Sequence, residues 1–192
     1  MARINGKSSD KVQSRMSLSN ACRCNEQLLS ELIQVIEGLP ANTCQKSVVP
    51  DKAQTIGAHV RHIIEFYQCF LSGLDSRYIN YDNRDRDPEC ERNVSSAVGA
   101  LLSIKEQLVK LTKNTSGEIH LTLNACIDTN GTVVKTETSV VRELLFLQCH
   151  TTHHLAIINL LLQQSGHHPP KNFGVATSTL IYQKQQESSS EN

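Results

Sequence analysis

The sequence predicts an all-α protein, a four-helix bundle with one small β-hairpin between the third and fourth helices. Four separate stretches carry apolar residues every three or four positions, and three of them are about 20 residues long, which is typical of bundle helices. Only one short stretch alternates with the two-residue period of a strand. A chain of 192 residues fits one domain with a sizeable core.

The first two helices have recognisable ends. The first begins at about Ser17 and stops at Gly38, which precedes Leu and Pro. Asp51 is of a residue type that caps helix N-termini, so the second helix should follow it and end near Gly73. The apolar seam of this second helix consists of Ile56, His59, Ile63, Phe66 and Phe70. A histidine therefore falls on the face that should be buried.

The third helix and the hairpin follow a highly charged loop. Residues 82–92 hold five acidic side chains and three arginines, a composition that on spacing alone indicates a solvated, internally paired loop. Residues 93–113 carry the apolar stripe of the third helix. The period then changes to two over residues 119–123. The dipeptide Asn130-Gly131, typical of tight hairpin turns, predicts that the chain folds back there.

The fourth helix is the longest that the sequence delimits at both ends. We predict that it spans residues 140–164, with Thr138 or Ser139 as its N-cap. Gly166 follows as the residue that ends the helix in a left-handed conformation.

Polar segments at both ends set the domain boundaries. We predict a disordered N-terminal segment over residues 1–16, one bundle domain over residues 17–182 and a disordered tail over residues 183–192. The N-terminus lacks the apolar stretch of a signal peptide, and no apolar run is long enough to span a bilayer. We therefore expect a cytoplasmic protein without a membrane partner.

Composition excludes several classes of function. Lys and Arg number 19, as do Asp and Glu, so the formal net charge is zero and nothing favours binding to nucleic acid. The seven cysteines are odd in number and form no C-x-x-C pair, which indicates free thiols and argues against a zinc finger. The unusual feature of the composition is its eight histidines.

Two pairs of histidines have helical spacing. His150 and His154 lie four residues apart on the fourth helix, so that one metal ion can bind both imidazoles. His59 and His62 lie three residues apart on the second helix. A bundle that sets these two helices face to face brings three or four imidazoles around one point. Three neutral nitrogens with an open fourth position are the pattern of catalytic metal sites.

The two histidine-bearing segments, IGAHVRHIIEFY and HTTHHLAIINLLL, resemble the DinB/YfiT-like superfamily of metalloenzymes. In that family one histidine of the second helix and a His-x-x-x-His pair of a later helix bind a divalent metal, with water completing the site. The resemblance implies His62, His150 and His154 as ligands, since apolar and aromatic residues follow the family histidine as they follow His62. Periodicity instead centres the seam on His59, with His62 about 60° to one side. We therefore expect His59 to support a ligand from outside the site or to be an alternate ligand.

The resemblance covers most of residues 20–182, and the segments YDNRDRD and FGVATSTLIY also resemble one DinB-like subgroup. It implies that charged side chains of the loop border the mouth of the site: Asp82, Arg84, Asp85, Arg86 and Asp87. Members of the superfamily include thiol S-transferases, which join a low-molecular-weight thiol to an electrophile, and zinc-dependent hydrolases. They often form homodimers, and we expect one here.

The function expected from the sequence is a small-molecule enzyme that depends on zinc, nickel or ferrous iron. It would be a thiol S-transferase or a hydrolase of a small amide or ester. No general base can be assigned, because Glu143 is expected to act only as a carboxylate at a helix start. The alternative is a bundle without catalytic activity that binds a metal or another protein.

Overall fold

The computed structural model describes residues 5–40, 42–47, 54–114 and 118–190. Their secondary structure elements are, in order, α1 (Asn5–Glu37), a single turn of 3-10 helix (Thr43–Gln45), α2 (Ile56–Ser76), β1 (Tyr78–Asn80), α3 (Pro88–Arg92), α4 (Val94–Asn114), β2 (His120–Cys126), β3 (Val133–Ser139), α5 (Val140–Gln164) and α6 (Thr177–Ser190). None of the helices in these described ranges is long and apolar enough to cross a membrane.

The predicted all-α class is wrong, and the chain is not a pure four-helix bundle. In the described part of the chain, six α-helices accompany a three-stranded mixed sheet of order β1-β2-β3, so the fold is mixed α/β. The predicted hairpin is present as the antiparallel pair β2 and β3, but β1 adds to it in parallel, with Tyr78 opposite Thr122. The missed strand is three residues long, too short to show a two-residue period, and it pairs with residues far along the chain.

Local capping explains where two of the helices begin. Thr55 caps α2, because its Oγ1 accepts a hydrogen bond from the Ala58 N–H at 3.0 Å. Asp51, the cap expected from the sequence, lies outside the described residues. The helix α5 has the predicted bounds, and of its two candidate caps it is Ser139 whose Oγ accepts from the Arg142 N–H, at 3.4 Å.

Both ends of the described chain are helical. The helix α1 includes residues 5–16, and α6 includes residues 183–190, although the sequence predicts disorder for both segments. The division of the chain into a domain and two flanking segments stays a prediction.

Four long helices bury the core. The helix α1 packs against α4 and α5, and α2 packs against the same two helices. Fully buried aliphatic side chains from all four meet there, among them Leu32, Ile63, Leu101 and Leu147. Burying each such side chain contributes about 1.5–3 kcal/mol to folding. The contact between α2 and α5 makes the two histidine-bearing helices direct neighbours.

One polar layer crosses this core, and we call Asn25, Tyr67 and Thr151 the tyrosine layer. Tyr67 donates its Oη hydrogen to Asn25 Oδ1 at 2.5 Å, and Thr151 donates from Oγ1 to Tyr67 Oη at 3.2 Å. Asn25 donates from Nδ2 to the carbonyl oxygens of Ala21 and Leu144, at 2.8 and 3.0 Å. All three side chains are buried, and the layer joins α1, α2 and α5 through complementary donors and acceptors.

Candidate metal centre

Three histidines meet where α2 faces α5. His62, His150 and His154 are half-buried, and each offers one ring nitrogen such that the three nitrogens lie within 4.8 Å of one another. We call this group the histidine cluster. It unites the three ligands that the family resemblance implies, and its geometry could hold a metal ion.

The spacing of the rings fits a shared ion. The Nε2 atoms of His62 and His150 are 3.3 Å apart. Two nitrogens that each lie about 2.1 Å from one tetrahedral ion are about 3.4 Å apart. The His154 ring centroid is 4.6 Å from the centroids of both His62 and His150, so the third imidazole closes a compact triangle.

Hydrogen bonding among the described residues leaves one nitrogen of His150 without a partner. A neutral imidazole has one donor nitrogen and one acceptor nitrogen. If Nε2 of His150 carries the lone pair, its Nδ1 carries the proton, and Nδ1 is buried with no hydrogen-bond partner among the described residues. If the proton is on Nε2 instead, Nδ1 carries a lone pair that is buried without a hydrogen-bond donor among the described residues. The facing Nε2 atoms of His62 and His150 can share one hydrogen bond, or both can donate a lone pair to a cation.

The environment keeps the cluster uncharged. Burial, and after it positive charge on His150 and Arg84, lowers the pKa of His62 to about 4. Burial, then His153 and Arg84, lowers the pKa of His150 to about 4. Burial and the neighbouring histidines lower the pKa of His154 to about 3. At neutral pH all three rings therefore have lone pairs available for a metal.

His59 lies beside the cluster and is not a member of the group. Its Nδ1 is 3.0 Å from Nδ1 of His154, and its Nε2 is buried without a hydrogen-bond partner in the described ranges. Burial also lowers the pKa of His59. Of the two histidines on α2, the structure thus brings His62 to the other ligands and sets His59 against one of them.

An aromatic wall supports His150. The Phe66 ring stacks on it with centroids 4.0 Å apart, and the Phe146 ring lies at 5.6 Å on a nearly parallel plane. Tyr81 stacks on Phe66 at 5.0 Å and also packs against Phe146. The sequence placed Phe66 on the buried seam, but it did not identify Phe146 or Tyr81. Phe146 lies four residues before His150, a spacing that could have revealed it; the position of Tyr81 depends on β1.

Arg84 is a residue of the charged loop whose charge acts on His62 and His150. Its guanidinium lies 4.5 Å from the centroid of the Phe66 ring, and its Nε is 3.7 Å from Oε2 of the buried Glu65. The Nε of Arg61 is 3.3 Å from the other oxygen of Glu65, and Arg61 also pairs with Glu91. This network fixes the loop to α2 and sets a positive charge beside the aromatic wall.

The other loop residues expected at the mouth have different roles. Asp82 accepts a hydrogen bond from the Cys126 N–H at 2.6 Å, and Asp87 caps α3 by accepting from Glu89 N at 2.9 Å. Asp85 and Arg86 are exposed. An open cavity of about 500 Å³ lies beside the loop, and neither the histidine cluster nor His59 lines it. Its lining residues are Glu65, Gln68, Cys69, Ser72, Asn83, Arg84, Asp85 and Asp87.

Glu143 is fully buried and has all its hydrogen bonds inside the protein. Its carboxylate accepts from Tyr81 Oη at 2.8 Å, Thr138 Oγ1 at 2.6 Å and an Arg142 guanidinium nitrogen at 2.8 Å. Burial, together with the Glu143 charge, raises the pKa of Tyr81. Glu143 therefore joins α5 to the loop after β1 and has no free oxygen for a general base.

No protein-family model matches the chain. It is 32% identical over 109 residues to FK506-binding protein 5 of Rhizopus delemar, a match that covers 56% of this chain and 28% of that protein. The chain thus spans less than a third of the curated relative it matches. A match of this extent assigns no family, and the similarity to the DinB/YfiT-like superfamily stays a prediction.

Proposed function

We propose that this chain is a divalent-metal-dependent enzyme whose metal is held by His62, His150 and His154, as the resemblance to the DinB/YfiT-like superfamily implies. The observation that carries the proposal is the convergence of three imidazole nitrogens within 4.8 Å, on rings whose lowered pKa values keep them neutral. A chance group of surface histidines would be hydrated and would titrate near its ordinary pKa.

The donor set favours zinc, nickel or ferrous iron. Imidazole nitrogens suit all three ions, whereas magnesium and calcium prefer oxygen ligands. When bound, the ion would supply Lewis-acid chemistry that lowers the pKa of a coordinated water or thiol.

The residues around the cluster position its ligands. Phe66 and Phe146 pack on the His150 ring and limit its rotation. Arg84 adds positive charge next to the wall, which favours the neutral form of His62 and His150. These contacts would hold the ligands ready before a metal binds.

The proposed reaction is transfer of a low-molecular-weight thiol to an electrophile or hydrolysis of a small amide or ester. The zero net charge supports a small substrate that binds at a local centre, because the chain has no excess of positive charge that would attract a polyanion.

Metal binding is tested first on the purified full chain. We expect about one zinc, nickel or iron ion per chain, and a loss of affinity of more than about 100-fold in each of His62→Ala, His150→Ala and His154→Ala. The matched control is His120→Ala, because His120 is exposed on β2. Equal metal content in the wild type and all three ligand variants contradicts the proposal.

Turnover is tested on the metal-loaded protein with thiol and electrophile pairs and with small esters and amides. Activity that follows metal occupancy supports the enzyme. One bound ion per chain without turnover of any of these substrates supports the alternative of a metal-binding protein without catalytic activity.

A further inference from the structure

We infer that His59 is a positioning residue that, through a hydrogen bond between its Nδ1 and Nδ1 of His154, directs the Nε2 lone pair of His154 toward the metal. This inference rests on the proposed function, because it concerns how one ligand of the cluster is prepared. It assigns His59 a role outside the ligand set.

The contact between the two rings is short and well defined. Their Nδ1 atoms are 3.0 Å apart, within hydrogen-bond range, and their centroids are 5.2 Å apart with the planes tilted by 40°. An Nδ1 that takes part in a hydrogen bond is not free to bind a metal. The nitrogen of His154 that remains for the cluster is therefore Nε2.

The direction of this hydrogen bond decides whether His154 can be a ligand. If His154 donates from Nδ1, its Nε2 carries the lone pair and His59 accepts. If His59 donates instead, the proton of His154 is on Nε2, and that ring cannot bind a metal. A bound ion thus requires His154 as the donor and His59 as the acceptor, with the His59 proton on Nε2.

The surroundings of His59 make this role specific. Metal-bound histidines usually donate their second N–H to a carboxylate, a backbone carbonyl or water. Here the partner is a second imidazole, that of His59. Because its other nitrogen is buried without a partner among the described residues, the contact with His154 is the one hydrogen bond found for its side chain there.

Two substitutions of His59 test whether it acts by accepting the hydrogen bond from His154. In His59→Asn the amide oxygen can occupy the place of the imidazole Nδ1, since both atoms are bonded to Cγ. In His59→Leu no acceptor remains. We expect the zinc affinity, measured by competition with a chromogenic chelator, to fall about 10- to 100-fold in His59→Leu and to stay within about fivefold of wild type in His59→Asn. His120→Leu, on the exposed face of β2, is the matched control.

Nitrogen-15 NMR of the histidine side chains gives a second measurement that does not depend on affinity. In the zinc-loaded wild type we expect the His154 proton on Nδ1 and the His59 proton on Nε2. The opposite arrangement, or a zinc-bound His59, overturns the inference. If His59→Leu fails to fold, this spectrum of the wild type and the affinity of His59→Asn decide the question.

The outcomes also separate this inference from the proposed function. If wild type binds zinc and both His59 variants bind it equally well, His59 has no positioning role and the three-histidine site stands. If both variants lose as much affinity as His150→Ala, His59 is a ligand, and the inference is wrong. If wild-type protein binds no zinc, nickel or iron, the proposed function fails and this inference fails with it.

Discussion

The tyrosine layer and the histidine cluster both include residues of α2 and α5, yet they differ in how their polar atoms are satisfied. In the tyrosine layer, hydroxyl and amide groups alternate as donors and acceptors, and each buried side chain has a partner within the chain. In the cluster, like nitrogens face like nitrogens, and Nδ1 of His150 has no partner among the described residues. The tyrosine layer is thus complete by itself, whereas the geometry of the histidine cluster could hold a cation.

The largest expected effect is stabilisation of the cluster by metal. Zinc at about 1,000 times its dissociation constant should raise the free energy of unfolding of the wild type by about 4 kcal/mol, because the ion binds the folded state preferentially. The same addition to His150→Ala, whose affinity should be more than about 100-fold lower, should raise the free energy of unfolding by less than about 1.4 kcal/mol. Urea unfolding with and without zinc measures both. A zinc effect of equal size in His150→Ala would show that the ion binds elsewhere.

Acid should lower the free energy of unfolding of the metal-free protein by protonating the histidine cluster, and it should leave the tyrosine layer unaffected. The folded-state pKa values of His62 and His150, about 4, lie below the ordinary value of 6.5, so the unfolded chain binds protons first as the pH falls. Stability is therefore full above pH 6.5 and falls as the pH drops toward 4. Burial raises the pKa of Tyr67, which does not ionise in this range.

The measurement for this pH prediction is the urea midpoint at pH 7 and at pH 5. His150→Leu removes one of the titrating groups, so its midpoint should fall less between the two pH values than the wild-type midpoint does. An identical fall in both proteins would mean that other groups cause the acid sensitivity.

Tyr67→Phe should damage the tyrosine layer and spare the cluster. The substitution leaves Asn25 Oδ1 buried without the Tyr67 donor and should lower the free energy of unfolding by about 1–3 kcal/mol. Zinc affinity should change less than about threefold, since no ligand is touched. Tyr182→Phe is the matched control, because Tyr182 is 61% exposed on α6. A loss of zinc affinity that matches a ligand variant would show that the two layers are coupled.

The smallest expected effect concerns Arg84. Its charge contributes to the lowered pKa of both His62 and His150, but burial is the larger cause. In metal-free Arg84→Gln the pKa of both rings should rise and still lie below 6.5. Titration by NMR measures this shift, with the exposed Arg92→Gln as the control. Unchanged values in Arg84→Gln would remove Arg84 from the electrostatics of the site.

Local signals in the sequence were sufficient for the parts of the fold that depend on neighbouring residues. The bounds of α5 follow from its cap and its terminal glycine, and the hairpin follows from Asn130-Gly131. The pairing of β1 with β2 could not be predicted, because it joins residues 44 positions apart, such as Tyr78 and Thr122, over only three residues. That missed strand is the reason that the all-α class was wrong.

The candidate site was predictable to a similar extent. The spacing of His150 and His154 indicated one shared face, and the family resemblance implied His62. Periodicity alone centred the seam on His59. It gives the position of each Cα around the helix axis, but not the position of the ring nitrogens of a histidine side chain. Tyr81 reaches the wall only through the chain path after β1, which no local pattern contains.

The short strand β1 also decides where the chain tolerates a change in length. Ile79 is fully buried, and its neighbour Tyr78 is exposed, so a shift of one residue against β2 would exchange their faces. The same shift would withdraw Tyr81 from Glu143 and Phe66. A single-residue insertion or deletion between Arg77 and Tyr81 should therefore disturb the histidine cluster more than most substitutions in that segment, and we expect natural variants of this chain to keep its length constant there.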